Sequence, residues 1–466
     1  MAEIWQEVLG VEQVGIEDDF FELGGHSLLA TQLYFLVQKR IVATIALNAF
    51  LTEPTVAAQA RLIDMGVGQT IDFDAESILD PTIEPLGFNV IDSATARTIF
   101  LTGATGFLGV FLLADLLEQS QANIYCLVRA QDEHQALVRL QQQVGLYELT
   151  DRIDFNRIIA VCGDLAKPNF GLSESRYKEI SERGEVIYHN GALVNFVQPY
   201  RTLKAANVKG TEEVLRLACQ GRPKAIHYVS TVSVFSEIPR QVTGHKETDE
   251  PEQRGNLPNG YAESKWVAEK LVVAAAERGF QVRIYRPAIV AGDSRTGAWN
   301  TGDYWCRLIK GCVQMGYAPR ERIRINMAPV DYMSRSIVAL SQKVDTVGNI
   351  FHLNLPESPY SDEWLDFYTS LGYRLQRIPY RDWLEKVLEF GSYNPEGFAL
   401  APLLPMFAEQ IHDGHTQLPE DGMPQYDSRA THKVLSALNV EYELLDRKIM
   451  ARYQDYFVRR GFMVDH

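Results

Sequence analysis

The spacing of apolar residues changes character along the chain. Up to about Gly66 they recur at helical intervals, Ile4, Trp5, Val8 and Leu9 first, then Leu29, Leu33, Leu36 and Val37. A loop with Gly10, Gly15 and Asp18-Asp19 lies between, and EPT opens a further helix through VAAQARLIDMG. Residues 1–66 thus predict a small all-helical unit. From 67 to 96 the period is lost among prolines and acids, which predicts a linker or strap. Ile78, Leu79, Ile83 and Leu86 are its candidates for packing down. After 97 come short β-rich runs: TIFLT (98–102), NIYCLV (123–128), RIIAVCG (157–163), EVIYH (185–189), AIHYVS (225–230) and VRIYR (282–286). Helical stretches such as NVKGTEEVLRLAC and YAESKWVAEKLVVAAAERG separate them. That alternation predicts a parallel sheet with helices on both faces over 97–295. From 296 to 466 the pattern turns mixed, aromatic and mostly helical, with one strand-like run, NIFHLN (349–354), expected to return to the sheet.

Composition narrows the class. Hydrophobic content of 46% with 23% charged residues is that of an ordinary globular protein. A net charge of −15 argues against general affinity for nucleic acid or anionic membranes. Five scattered cysteines without a CxxC pair suit free thiols in a reducing compartment and offer no metal site. The longest apolar stretch, VFLLADLL, is too short to cross a bilayer and contains Asp115. A soluble, cytoplasmic protein is expected.

The first chemical signal is LTGATGFLG, with Gly103, Gly106 and Gly109 straight after a strand and at the head of a helix. Glycines there let the backbone approach a pyrophosphate, whose charge is met by helix N-terminal amides. Thr105, Phe107 and Leu108 belong to the same loop. The next strand ends in Arg129, where a site for NAD usually carries an acid; an arginine suits the ribose phosphate of NADP, or is a solvated surface residue. Arg139 on the following helix is a second phosphate candidate or an incidental exposed residue. Asp164 and Leu165 close the third strand, and Asn190, Ala192 and Leu193 follow the fourth. Strand carboxyl ends line the cofactor crevice of such sheets, although GD and NG are also common turn dipeptides.

The second signal is YAESK, thirty residues after Thr231. Tyr261 and Lys265, four apart, share one helix face. An ammonium beside a phenol favours phenolate, so a lowered Tyr261 pKa is expected, suiting proton delivery to a carbonyl oxygen. A hydroxyl from Thr231 or Ser230 can hold the same oxygen as charge develops. The alternative for YxxxK alone is an ordinary helix surface.

Residues from about 97 to 355 resemble an extended short-chain dehydrogenase/reductase. TGATGFLG, HNGALVN, NVKGT, HYVSTVSV, YAESKW and RPAIVAGDSRTG together resemble its thioester reductase branch, found at the ends of nonribosomal peptide synthetases and in carboxylic acid and aminoadipate reductases. The resemblance implies a Rossmann-like, doubly wound sheet with a smaller C-terminal substrate domain or lid. It places the catalytic hydroxyl on Thr231, the proton donor on Tyr261 and its partner on Lys265. Asn207 falls near a relay asparagine, or is a helix-initiating residue; Pro287 and Val290 fall among cofactor contacts.

FFELGGHSLLA, with IWQEVLG and EPTVAAQA around it, resembles the carrier proteins of peptide and polyketide assembly lines, which are four-helix bundles. The resemblance implies phosphopantetheine on Ser27, at a helix start where a phosphodiester meets free amides. Phe20, Phe21, Leu28 and Leu29 would anchor the loop. The first helix opens at Met1 as if clipped, so the chain is expected to be a fragment of a larger synthetase. Together these readings imply a carrier–reductase pair releasing a thioester with NADPH as an aldehyde, or further as an alcohol. The implied partners are upstream modules, a phosphopantetheinyl transferase and the chain's own carrier docked on its reductase. A non-redox, Dieckmann-type release domain resembles this one but tends to lack the tyrosine. A sugar-nucleotide epimerase leaves the carrier unexplained, and a non-catalytic docking module predicts a broken glycine loop.

Overall fold

A computed structural model describes all residues except 26, 42–53, 67–70, 88–89, 236–243, 252–256, 347, 395–396, 413–424 and 465–466. In the N-terminal unit, α1 (Ala2–Leu9), α2 (Ser27–Ile41) and α3 (Val56–Gly66) surround a core containing Ile4, Trp5, Phe20, Leu33 and Val37. The fourth helix expected of a carrier is not among the described residues. Trp5 anchors this core, meeting Phe20 edge-on at 4.9 Å and donating Nε1–H to Gln59 at 2.9 Å.

The strap then runs through α4 (Phe73–Glu76), capped by Asp72. Leu79 and Ile83 pack down as expected, but Ile78 and Leu86 do not, being 71% and 47% exposed. Anchoring is polar as much as apolar. The Arg278 guanidinium donates to the carbonyls of Asp80 at 2.6 Å, Leu79 at 2.8 Å and Ile83 at 2.9 Å. Glu76 meets Tyr200 and Lys204, and Gln281 exchanges two hydrogen bonds with the backbone of Ile91.

The central sheet has seven parallel strands: β1 (Thr98–Thr102), β2 (Asn123–Val128), β3 (Ile158–Cys162), β4 (Val186–His189), β5 (Ala225–Val229), β6 (Val282–Pro287) and β10 (Ile350–Leu353). Their order is β10-β6-β5-β4-β1-β2-β3, reversing direction at β1 and β4. Ile99 and Leu101 face one core and Phe100 the other; both faces are covered, which is why β1, β2 and β3 read as largely apolar runs, whereas β6 carries the buried Arg283 and Arg286. On one face lie α5 (Phe107–Gln119) and α12 (Val330–Ser341); on the other, α9 (Gly210–Ala218) and α10 (Gly260–Glu277). α6 (Glu133–Leu146) adds Ala136, Leu140 and Val144 to the first core, and α7 (Glu174–Arg183) and α8 (Tyr200–Lys204) add Tyr177, Ile180 and Tyr200 to the second.

Residues 296–466 divide between two places. Besides α12 and β10, the helix α17 (Arg447–Arg459) adds Tyr453 and Phe457 to the sheet's own core. The remainder builds a smaller body from α11 (Tyr304–Met315), α13 (Ser361–Ser370), α14 (Tyr380–Tyr393) and α15 (Leu404–His412), with α16 (Arg429–Ala437) beside β10. Two short parallel pairs brace it, β7 (Ile289–Ala291) with β9 (Met327–Pro329) and β8 (Tyr317–Pro319) with β11 (Gln376–Ile378). The carrier helix α2 lies against α14 and α15.

Candidate active site

A cleft of about 1310 Å³ runs over the carboxyl ends of the strands and under the C-terminal body. At one end is the glycine loop. Gly103 has φ +73°, and a Cβ there would lie 2.7 Å from the Gly191 backbone. A Cβ on Gly109 would lie 1.9 Å from the Gly103 carbonyl, so Gly109 lets α5 close against the loop without itself lining the cleft. No side chain caps α5 at Gly106, which leaves the helix's first amides facing the cleft for an anion.

Thr105, Gly106, Phe107 and Leu108 line this end, as do Arg129, Arg139, Asp164 and Leu165. The two arginines are linked, because Arg139 Nη1 donates to the Arg129 carbonyl. Asp164 both faces the cleft and holds its own turn, accepting from Ala166 N at 3.0 Å. Asn190 reaches back to the Gly103 carbonyl at 3.4 Å, and Gly191 N donates to Thr102 Oγ1 at 2.9 Å. Ala192, Leu193, Pro287 and Val290 complete this part of the lining. A donor-rich, side-chain-free cradle with two guanidinium groups fits a dinucleotide phosphate.

His189 escaped the sequence reading. It ends β4 under the loop, held between Thr102 Oγ1 at 2.8 Å and Thr211 Oγ1 at 3.0 Å. Burial lowers its pKa to about 3, with Lys265 acting in the same direction, so it serves as a neutral spacer. Only its place at a strand end hinted at it.

The chemical groups converge where β5 ends. Thr231 caps a single turn over Val232–Val234, its Oγ1 accepting from Ser233 N at 3.2 Å. Ser230 Oγ is buried beside it with no hydrogen-bond partner among the described residues. Tyr261, in the first turn of α10, presents its ring edge-on to Phe196 at 5.7 Å. The expected lowering of its pKa is absent: burial pushes the phenol above the ordinary tyrosine range. The neighbouring ammonium points elsewhere. Lys265 Nζ donates to the Val229 carbonyl at 2.8 Å and lies 4.2 Å from the centre of the Tyr228 ring. Burial brings Lys265 itself down to about 7, against an opposing pull from Glu269.

Asn207 does not line the cleft and does not start a helix. It sits in a π-turn, Ala205–Lys209, between α8 and α9. Its Oδ1 accepts from Leu193 N at 2.7 Å, and its Nδ2 donates to Leu193 O at 3.1 Å and to Ser264 Oγ at 2.9 Å. It therefore ties the Leu193 loop to the helix of Tyr261. Of the stretch GSYNPEGFALAPLLPMF, Met406 reaches the cleft while Phe398, Leu400 and Phe407 are core. The C-terminal body also supplies Asp303, Tyr304, Trp305, Tyr380, Trp383 and Gln410, none of them singled out from sequence.

Ser27 is the first residue of α2; its side chain and that of Leu28 lie outside the described residues. Of the other three anchors, Phe20 is buried, Leu29 half-buried and Phe21 45% exposed.

A dinucleotide cradle, a strand-end hydroxyl and a Tyr–Lys helix define a nicotinamide-dependent oxidoreductase of the short-chain dehydrogenase kind. Residues 101–337 match the NAD-binding family described as male sterility protein, and residues 1–63 match the family described as phosphopantetheine attachment site. The chain is 40% identical over 469 residues to a component of the linear gramicidin synthase of Brevibacillus parabrevis, covering 98% of this chain and 9% of that protein. The terminal R domain from the myxalamid PKS-NRPS pathway is similar at 41% identity with a TM-score of 0.77, over 84% of this chain and 98% of that one. A thiolation-reductase di-domain from an archaeal nonribosomal peptide synthetase shares the fold, with a TM-score of 0.69 at 21% identity over 99% and 97% of the chains. This chain belongs to the family of terminal reductase domains of nonribosomal peptide synthetases, here with its phosphopantetheine-bearing carrier. It spans 9% of the length of that gramicidin synthase component and 47% of a non-canonical nonribosomal peptide synthetase of Aspergillus hancockii. Among the described residues no helix is long and apolar enough to cross a membrane.

Proposed function

We propose that the chain releases a finished acyl or peptidyl group from its own carrier by reducing the thioester with NADPH. In this reading residues 1–66 are a four-helix carrier, 67–96 a linker, 97–295 the dinucleotide-binding domain and 296–466 the substrate-binding and lid region. Phosphopantetheine on Ser27 bears the substrate; upstream modules load it, and a transferase installs the arm. Gly103, Thr105, Gly106, Phe107, Leu108, Asp164, Asn190 and Leu193 hold the dinucleotide, with Arg129 and Arg139 at the ribose phosphate. NADPH supplies the hydride. Thr231 holds the thioester carbonyl oxygen, Tyr261 delivers the proton to it, and Lys265 faces the ribose side. One hydride, one proton and loss of the thiol give an aldehyde and a free carrier arm; a second round gives an alcohol. The cytoplasm is the expected setting.

The observation that carries the reading is convergence. Thr231, Tyr261 and Lys265 border one cleft with the glycine cradle, and α2 rests on α14 and α15, whose Trp383 and Met406 line the same cleft. The intact Tyr261 and glycine loop speak against a non-redox cyclising role and against a non-catalytic docking module. The test is to load the full chain with an acyl-phosphopantetheine arm, add NADPH, and follow aldehyde and free thiol by mass. Ser27→Ala should accept no arm, and Tyr261→Phe should lose about 10²–10⁴-fold in turnover. Arm attachment to Ser27→Ala, or undiminished turnover by Tyr261→Phe, removes that residue from its role.

A further inference from the structure

The cleft is larger than the roughly 300–1,000 Å³ of a single-ligand pocket, so it has room for a second ligand beside a dinucleotide. Its second wing leaves the catalytic groups at Phe196, whose ring meets Tyr261 at 5.7 Å and Tyr304 at 6.3 Å. Beyond that ring the wall is largely apolar, with Trp305, Leu308, Ile325, Leu365, Trp383 and Met406, and Asn326, Ser361, Tyr380 and Gln410 are its neutral polar members. The cations that line the cleft, Arg129, Arg139 and Lys265, belong to the nucleotide end and the catalytic helix; among the described residues the wing adds none.

The wing adds two carboxyl groups instead. Asp303 caps α11, accepting from Trp305 N at 2.8 Å, and burial raises its pKa to about 6. Glu321 is incompletely satisfied. Its Oε1 accepts from Tyr380 N at 3.1 Å and lies 3.7 Å from the exposed Arg320, while its Oε2 is buried with no hydrogen-bond partner among the described residues. Trp305 Nε1, a buried donor in the same wall, also lacks one. Buried polar groups are rarely left unpaired, and a few polar groups in an apolar pocket are what orient a ligand.

We infer that this wing is the acyl chamber, and that it selects a bulky apolar acyl group carrying a hydrogen-bond donor remote from the thioester. Glu321 is the specificity-determining residue that takes the donor. Acyl groups ending in a second carboxylate are disfavoured, because the described lining there offers two carboxyl groups and no lysine or arginine, the exposed Arg320 lying beside Glu321 outside that lining. The inference rests on the thioester-reductase reading and adds the substrate class.

Four pantetheine thioesters test it on the full chain with NADPH: acetyl, octanoyl, 8-aminooctanoyl and the half-thioester of octanedioate. The 8-aminooctanoyl ester should show a KM about tenfold below octanoyl, and the octanedioyl ester one about tenfold above it. Glu321→Gln keeps an oxygen for the Tyr380 amide and should bring the KM values of the 8-aminooctanoyl and octanedioyl esters closer to that of octanoyl, the difference that remains belonging to Asp303. An octanedioyl ester equal to or better than octanoyl, or KM ratios unaltered by Glu321→Gln, overturns the chamber assignment. The wild-type series needs no variant to fold. Acetyl turnover with a flat or inverted series counts against the chamber alone; no turnover of any of the four overturns the reductase reading with it.

Discussion

At Lys265, burial ties protonation to stability. A lysine in an unfolded chain titrates near 10.4, whereas this one titrates at about 7. Between those values the unfolded chain holds more protons, so the contribution of Lys265 to stability grows as pH rises from about 7 towards 10 and is lost as pH falls back through 7. Melting curves of the cofactor-free protein across that range should show wild type gaining on Lys265→Met; parallel curves would remove the group from the account. Arg129 makes a different prediction. Facing the cleft with Arg139 tied to its carbonyl, it should favour NADPH over NADH, and Arg129→Ala should narrow that preference about tenfold. An unchanged ratio of the two cofactors' kcat/KM would sink this assignment. Spacing singled out Gly103, Gly106, Tyr261 and Lys265 in the chain, and all four border the cleft. The upward direction of the Tyr261 pKa was not legible, because it follows from burial, while the Lys265 ammonium bonds the Val229 carbonyl of a strand thirty-six residues away.

Among the elements, the strands were readable nearly to the residue, because a parallel sheet covered on both faces favours short β-rich, mainly apolar runs, as in β2 and β3. The π-turn at Asn207 was not. Its five residues have the composition of ordinary helix, and the extra residue shows only in how α8 joins α9. That turn points a buried amide at Leu193 and Ser264 together, which makes Asn207 a positioning residue for the cofactor loop. Asn207→Ala should cost about 2 kcal/mol of stability and raise the KM for NADPH more than it lowers kcat. A variant of normal cofactor KM would show that the loop holds itself. The aromatic lining from α11 and α14 was equally hidden, since helical period tells which face is apolar but not whether core or cleft lies against it. Trp305 and Trp383 do both, each counted in a core and each bordering the cleft.

For the whole molecule, the strap decides how the two functional units are joined. Its sequence announced a linker but not the Arg278 clamp, whose three acceptors are backbone carbonyls and so leave no trace in side-chain pattern. Arg278→Ala should cost about 2 kcal/mol and speed proteolysis between residues 67 and 96, while free pantetheine thioesters are still turned over. An unchanged cleavage rate would mean the apolar contacts of Leu79 and Ile83 hold the strap unaided. The clamp has a consequence for traffic. The strap is already held at α4, where Phe73 meets the Tyr200 ring at 5.1 Å and Glu76 bonds Tyr200 and Lys204, so residues 67–72 are the leash from the end of α3 and fully extended reach about 20 Å. A carrier so confined meets its reductase at an effective concentration in the millimolar range. On the proposed reading, a free carrier loaded elsewhere would have to match that concentration to compete for the cleft.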